Sequence, residues 1–335
     1  MTDGQGKTIL WLARGLNTEL TGIERFISAL HDDLASHQVI SKSSWSMVVD
    51  ADSEWANPLE SEGWQIRRAG TISRTGRPVG PDGSPRIVHS FGRGSFPIRT
   101  RGATRIYSVY DWGPFHDAYL PWVARVAWGR AIAMGVGRAD IVHLLNEHLA
   151  VTKPRLVPRP KRHVVCAPST RLPEHRRDDV EPTHALFVGT VGARKRVDAI
   201  VDMANYTNTL VRLVGDGTEP YGQSSPSVVA QGRVSEELLD HYFDSASCIL
   251  LVSAYEGFGI PVLEAAIRGI HSVVSAEVMS NLPSELQPYC HVVDPDRPAD
   301  FASAIQFAAS KRGAPLIYDA LRPLRELYAT ELARS

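Results

Sequence analysis

Cysteine is scarce in this chain of 335 residues: Cys166, Cys248 and Cys290 are the only three. They stand at no metal-ligand spacing and make no even set, so neither a zinc knuckle nor a disulfide framework is expected, and a reducing cytoplasm is. No apolar run reaches membrane-spanning length. The opening Met1-Thr2-Asp3-Gly4-Gln5-Gly6-Lys7 lacks the apolar stretch of a signal peptide, so no export is expected. His143, Glu147 and His148 do not form His-Glu-X-X-His and read as structural. No acidic Asp-X-Asp metal motif stands out, so no metal site is expected. Charge is nearly balanced at −1, with 43% hydrophobic and 22% charged residues, a globular composition. The balance hides an asymmetry: residues 1–170 hold 21 Lys and Arg against 15 Asp and Glu, and the remainder holds 15 against 22. The two halves therefore face different partners.

Apolar runs and helical periodicity alternate through both halves. In the first, Lys7–Ala13 reads as a buried strand. A glycine-bearing loop from Gly15 to Gly22 and a helix over Ile23–Leu34 follow. Further strands fall at Ser46–Val49, Arg86–His89, Arg105–Tyr110, Asp140–Leu145 and His163–Pro168, with a helix over Pro121–Met134. Gly70–Pro85 is rich in Gly, Pro, Arg and Ser and reads as a mobile loop. Ser169–Thr183 reads as an interdomain linker. Alternation then restarts with strands at Ala185–Gly189, Leu210–Gly215, Ser227–Gln231, Cys248–Val252 and His271–Ser275. Helices are predicted over Arg196–Asn205 and, capped by Ser235, up to Phe243. Two such halves predict two parallel sheets with helices on both faces and ligands at the carboxyl ends of the strands, in a cleft between the halves.

The densest chemistry lies in Ser253–Ala266, where Glu256 and Glu264 are separated by seven residues that include Gly257, Gly259 and Pro261. The apolar run before it reads as a buried strand. Pro261 suits a first helical position, where its missing N–H costs nothing. The pattern is strand, glycine turn, helix. Gly257 and Gly259 let backbone amides approach a ligand, and free amides at a helix start favour an anion such as phosphate.

This stretch, Glu256–seven–Glu264 around Gly-Phe-Gly-Ile-Pro, resembles the signature of glycosyltransferase family 4, retaining enzymes of GT-B fold that use nucleotide-sugars. The likeness continues over about Leu186–Ala309. Phe187-Val188-Gly189-Thr190 with Arg194-Lys195 resembles the family's first strand and basic pair. Val214–Gly217, Gln231–Ser235 and Tyr242–Ser247 resemble its next segments, and Ser280–Glu285 and Val292–Asp296 its closing ones. Leu20–Phe26, with Gly22, resembles the loop that meets the donor diphosphate. The resemblance implies an α/β GT-B architecture of two Rossmann-like doubly wound domains. An acceptor domain would span 1–170, a donor domain 171–315, and a C-terminal helix 316–335 would return to the first domain.

It also implies roles. Glu264 would accept two hydrogen bonds from a ribose diol, since a carboxylate offers two coplanar oxygens. Glu256 would grip donor-sugar hydroxyls, and Arg194 and Lys195 would stabilise the leaving diphosphate, whose charge grows in the transition state. Gly189, Gly257, Phe258, Gly259 and Ile260 complete the expected donor site. No cofactor is expected, because the nucleotide-sugar is a substrate. One position departs from the family: Tyr110-Asp111-Trp112 stands where many members carry His-Asp-Leu, and that histidine meets the transferred sugar. Tyr110, Asp111, His116 and His89 are the candidates for contacts there, His116 and His89 having packing or loop roles as the competing reading. The expected partners are a nucleotide-diphosphate sugar and a glycan or lipid-linked acceptor, with no nucleic acid. The expected pathway is cell-surface polysaccharide or glycolipid synthesis. The arginines from Arg67 to Arg105 add an expected contact with anionic membrane at the cytoplasmic face. Two other readings stay open: a nucleotide-sugar-binding protein without catalysis, and, disfavoured for want of a matching carboxylate pattern, a sugar-nucleotide epimerase.

Overall fold

The computed structural model describes residues 9–16, 22–69, 85–92, 102–116, 120–169, 180–311 and 313–334. The chain divides into two compact units, Met1–Ser169 joined by Asp319–Ser335, and Thr170–Tyr318.

In the first unit the order is β1 (Ile9–Ala13), α1 (Gly22–Ser36), β2 (Trp45–Asp50), α2 (Asn57–Ser61), β3 (Gln65–Ala69), β4 (Ile87–Ser90) and β5 (Thr104–Val109). Then come α3 (Gly113–His116), α4 (Trp122–Arg138), β6 (Ile141–Leu144), α5 (Glu147–Val151) and β7 (Arg162–Val165). All seven strands are parallel, in the order β3-β2-β1-β4-β5-β6-β7. The central β1 is Ile-Leu-Trp-Leu-Ala and buried throughout, as a strand covered on both faces must be. Trp11 turns into a cluster with Phe26, Trp45, Phe91 and Tyr328, while Leu10 and Leu12 face the other side with Val88. The edge strand β3 is not foreshadowed in the sequence: Gln-Ile-Arg-Arg-Ala carries no apolar alternation and pairs only with β2. Most of the loop predicted over Gly70–Pro85 and of the linker over Ser169–Thr183 lies outside the described residues, as do residues 17–21 of the glycine loop.

The C-terminal helix Arg322–Ala333 belongs to this unit. Its Tyr328 is wholly buried and hydrogen-bonds His89 Nδ1 at 2.7 Å. His89 Nε2 lies 2.8 Å from Ser108 Oγ, Ser108 Oγ 2.8 Å from His143 Nδ1, and His143 Nε2 2.9 Å from the Cys166 carbonyl. The carbonyl can only accept, so each donor is fixed in turn: His143 Nε2–H, the Ser108 hydroxyl, His89 Nε2–H and the Tyr328 hydroxyl. Both imidazoles are thereby neutral Nε2–H tautomers.

The second unit runs β8 (His184–Val188), α6 (Val197–Thr207), β9 (Val211–Val214), β10 (Val228–Ala230), α7 (Glu236–Asp244) and β11 (Ala246–Leu251). It continues with α8 (Ile260–Ala266), β12 (Ser272–Ser275), α9 (Ala276–Met279), β13 (Cys290–Val293) and α10 (Pro298–Ser310). Its six parallel strands take the order β10-β9-β8-β11-β12-β13. Ser235 caps α7 as predicted, its Oγ accepting from the Leu238 amide at 3.3 Å. In each sheet the first strand is flanked by the second on one side and the fourth on the other. That is the doubly wound order, with a crevice where the winding reverses. In the second unit the crevice lies between the carboxyl ends of β8 and β11.

Candidate functional site

Two loops meet at that crevice. One leaves β8 through Gly189 to Arg194 and Lys195, and the other leaves β11 through Ser253 to Gly259 and α8. The Ala254 amide donates to the Arg194 carbonyl at 2.7 Å, which ties the loops together. Across this join stands an ionic cluster. Lys195 Nζ lies 2.5 Å from Glu256 Oε1, and Arg194 approaches Glu256 Oε2 at 3.1 Å. Ser253 Oγ donates to the same Oε1 at 2.7 Å, and Arg194 also donates to the Tyr255 carbonyl at 2.7 Å. Lys195 and Glu256 are each 8% exposed, so the pair is shielded from water. Burial pushes the Glu256 carboxyl up, but the charges of Lys195 and Arg194, with hydrogen bonds from Lys195 and Ser253, outweigh it and hold the group below its ordinary value. One carboxylate faces two cations, so the cluster carries a net charge of +1.

A second layer fixes Glu256. Asn281 Nδ2 donates to its backbone carbonyl at 2.9 Å and to the Glu277 carbonyl at 3.1 Å. Ser275 Oγ, at the amino end of α9, holds the Ser253 carbonyl at 2.7 Å. Ser253, Ser275 and Asn281 were given no role from the sequence. Their roles come from where the chain brings them: Ser253 follows β11, Ser275 ends the neighbouring β12, and Asn281 follows α9.

Glycine at two positions is a geometric requirement. Gly259, which precedes α8, has φ +96°, a left-handed value that L side chains rarely adopt. Gly215, after β9, has φ +128°, and a Cβ there would stand 2.2 Å from the Gly189 carbonyl oxygen. The turn at Gly189 thus packs backbone to backbone against the neighbouring strand end. A Cβ on Gly189 would itself lie 3.5 Å from Lys195 Nζ.

Of the expected donor residues, Gly189, Arg194, Lys195 and Glu256 are brought together. Gly257 and Gly259 continue the same loop, Ile260 begins α8, and Glu264, on that helix, is only 3% exposed. Two expectations are modified. Phe258 is 3% exposed, so its ring is part of the core and only its backbone is available to a ligand. Glu256 grips the basic pair itself, so its first role is to hold Arg194 and Lys195 in place. The helix α8 has seven residues, so its dipole adds little and the side-chain cations dominate.

The first-unit candidates fare differently. His89 is fully buried, stacked on Phe91 at 3.9 Å, with both nitrogens engaged; it is a core histidine and is corrected as a sugar contact. Tyr110 packs edge-on against Phe26, and burial holds its phenol well above the ordinary value, so it brings no exposed polar group in place of the family's histidine. Asp111 accepts from the Gly113 amide at 2.7 Å, a turn at the start of α3. His116 is exposed at the end of that helix, and Gly22 begins α1. Of the arginines expected to meet a membrane, Arg74, Arg77, Arg93, Arg99 and Arg101 lie outside the described residues, while Arg68 is paired with Glu60 at 2.8 Å and Arg105 with Asp140 at 2.7 Å.

Among the described residues no group of three His, Cys, Asp or Glu could hold a metal ion. Two Asp-X-Asp spacings do exist: Asp50-Ala51-Asp52, whose Asp50 accepts from Arg14 Nε at 2.9 Å and the Gly15 amide at 2.6 Å, and Asp294-Pro295-Asp296. In the structure Asp294 Oδ1 accepts from the Asp296 amide at 3.1 Å, a local turn after β13, two strands from β11. No described helix is long and apolar enough to cross a membrane.

Residues 182–311 match the model of the family described as Glycosyl transferases group 1. That match spans the whole crevice of the second unit. The chain as a whole is similar to HepE (Alr3699) of Anabaena, solved with UDP and glucose: TM-score 0.69, 12% identity, 98% of each chain covered. Sucrose-phosphate synthase of Thermosynechococcus elongatus gives TM-score 0.65 and 16% identity over 97% of this chain and 94% of that one. WaaG, a glycosyltransferase of lipopolysaccharide biosynthesis, gives 0.64 and 13% over 97% and 94%. At these identities the likeness establishes the fold: two Rossmann-like doubly wound domains of the GT-B type. A search of the curated proteins gives no significant match.

Proposed function

We propose that the protein is a retaining glycosyltransferase. It moves a hexose or deoxyhexose from a nucleoside-diphosphate sugar to a hydroxyl of a glycan or lipid-linked acceptor, in cell-surface glycan synthesis at the cytoplasmic face. The observation that carries this reading is the net positive Arg194–Lys195–Glu256 cluster at the winding reversal of a sheet whose residues match a glycosyltransferase family. A leaving diphosphate gains charge as the glycosidic bond breaks, and a shielded, pre-positioned cation pair lowers the free energy of that charge most in the transition state. Glu256 holds the pair in register before the donor arrives. Glu264 takes the ribose diol. The reaction uses no metal, because the cations already neutralise the diphosphate, and no cofactor. Retention follows from the family likeness, with the leaving phosphate taking the acceptor proton.

The buried phenol of Tyr110 favours one second reading, a protein that binds the nucleotide-sugar without transferring it. A thermal-shift panel of UDP-, GDP- and dTDP-sugars tests binding, since a ligand that prefers the folded state raises the melting temperature. One base class should raise it, and Glu264→Ala should abolish the rise by removing two charge-assisted hydrogen bonds of about 1.5–3 kcal/mol each. An undiminished rise in that variant would overturn the ribose assignment.

A further inference from the structure

We propose that the outward face of α4, with the loop against its carboxyl end, docks on an anionic lipid bilayer. A surface helix normally turns its bulky apolar residues inward. This 17-residue helix turns only two of them inward, Ile132 and Val136. Its buried face is Gly129, Ile132, Gly135 and Val136. Gly135 lies so close to the sheet that a Cβ would stand 2.3 Å from the Tyr107 ring, and one on Gly129 would stand 3.3 Å from Phe115. Four bulky apolar residues point outward: Trp122 is 74% exposed, Val123 58%, Val126 50% and Met134 41%. Trp122, Val126, Arg130 and Met134 recur every four residues as one stripe.

The surface continues past the helix. A Cβ on Gly137 would meet Pro158 at 3.5 Å, which places the loop after α5 against the helix end. Val151 and Leu156 there are 85% and 82% exposed. These six are all the exposed large hydrophobic residues among the described residues of the first unit.

Charge identifies the occupant. Residues 122–163 hold eight Lys and Arg against two Asp and Glu. Of the two acids, Asp140 is already held by Arg105 at 2.7 Å and Lys161 at 3.4 Å. Arg130, Arg138, Arg155 and Arg159 are exposed. Beside the helix end lies a cavity of about 250 Å³ with Val136, Leu144 and Leu149 in its walls, whose ionisable groups, Lys153, Arg159 and His163, are all basic. Trp at headgroup depth with Arg reaching lipid phosphates is the chemistry of an interfacial helix. A second copy of the chain docked by two-fold symmetry would set this basic face against itself. The inference is independent of the transfer reading, which rests on the second unit.

Co-sedimentation of the full chain with phosphatidylglycerol–phosphatidylcholine vesicles, against pure phosphatidylcholine, tests it, with Trp122→Ser/Val126→Ser and Arg130→Glu/Arg155→Glu as double variants. Wild-type protein should bind the anionic vesicles at low salt, with release as salt rises. Each double variant should lose at least about tenfold in affinity while keeping the wild-type melting temperature and any nucleotide-sugar shift. No binding to anionic vesicles at low salt, or binding unmoved by both variants, would overturn it. So would a concentration-dependent dimer that the Trp122→Ser/Val126→Ser change dissolves.

Discussion

Lys195 and Glu256 lie 61 positions apart in the chain yet form its most shielded ion pair at the crevice. Each residue type was legible in the sequence as part of a suggestive pattern, but their bond was not. It depends on β8 and β11 being parallel neighbours, which no local spacing states. The consequence is that Glu256 and the cations act as one unit. Lys195→Ala should therefore lower kcat by about a hundredfold while weakening binding of intact donor far less, because the lost charge is needed most when the diphosphate departs. Steady-state kinetics beside equilibrium donor binding check this. A raised KM with unchanged kcat would make Lys195 a ground-state anchor only.

At the scale of the element, the C-terminal helix is fastened by a directed chain of hydrogen bonds from Tyr328 through His89, Ser108 and His143 to the Cys166 carbonyl. The family resemblance implied the helix, and unbroken apolar runs suggested the strands it covers. The buried polar chain was not legible, since a histidine on a strand carries no mark of where its nitrogens will point. For the same reason β3, an edge strand of polar residues, left no apolar trace. The fastening is sensitive to acid. Burial, and then the nearby His143, hold His89 well below the ordinary imidazole value, and burial holds His143 at about 4. Unfolding returns both to about 6.5, so between pH 6.5 and 4 the unfolded chain binds more protons and stability falls as pH is lowered. The slope approaches about 1.4 kcal/mol per pH unit for each histidine. Urea midpoints at pH 7.5, 6 and 5 should show that fall, and little change above 7. Tyr328→Phe should cost a further 1–3 kcal/mol or so at pH 7.5 by leaving His89 Nδ1 unpaired. A midpoint flat from pH 7.5 to 5 would contradict the neutral-histidine chain.

For the whole molecule, the regular alternation of strand and helix was enough to read two doubly wound halves, because each buried parallel strand is a short unbroken apolar run. The strand orders, 3-2-1-4-5-6 in the second unit and the same with one strand added in the first, then fix where each sheet's crevice lies. The proposed donor reaction was legible only through the family resemblance, which is densest in the Ser253–Ala266 stretch. The apolar outer face of α4 was hidden, because a helical pattern does not say which side turns inward until Gly135 is seen against Tyr107 of the sheet and Gly129 against Phe115 of α3. The proposed function has the second unit's cation cluster drive departure of a nucleoside diphosphate without a metal. It is tested most directly by following nucleoside diphosphate release from UDP-, GDP- and dTDP-sugars in excess EDTA, with hydroxyl acceptors present, for the wild type and Lys195→Ala. One donor class should be consumed by the wild type in EDTA and about a hundredfold more slowly by the variant. Release that stops in EDTA and returns with Mg²⁺ or Mn²⁺, or equal rates in the two proteins, would contradict it.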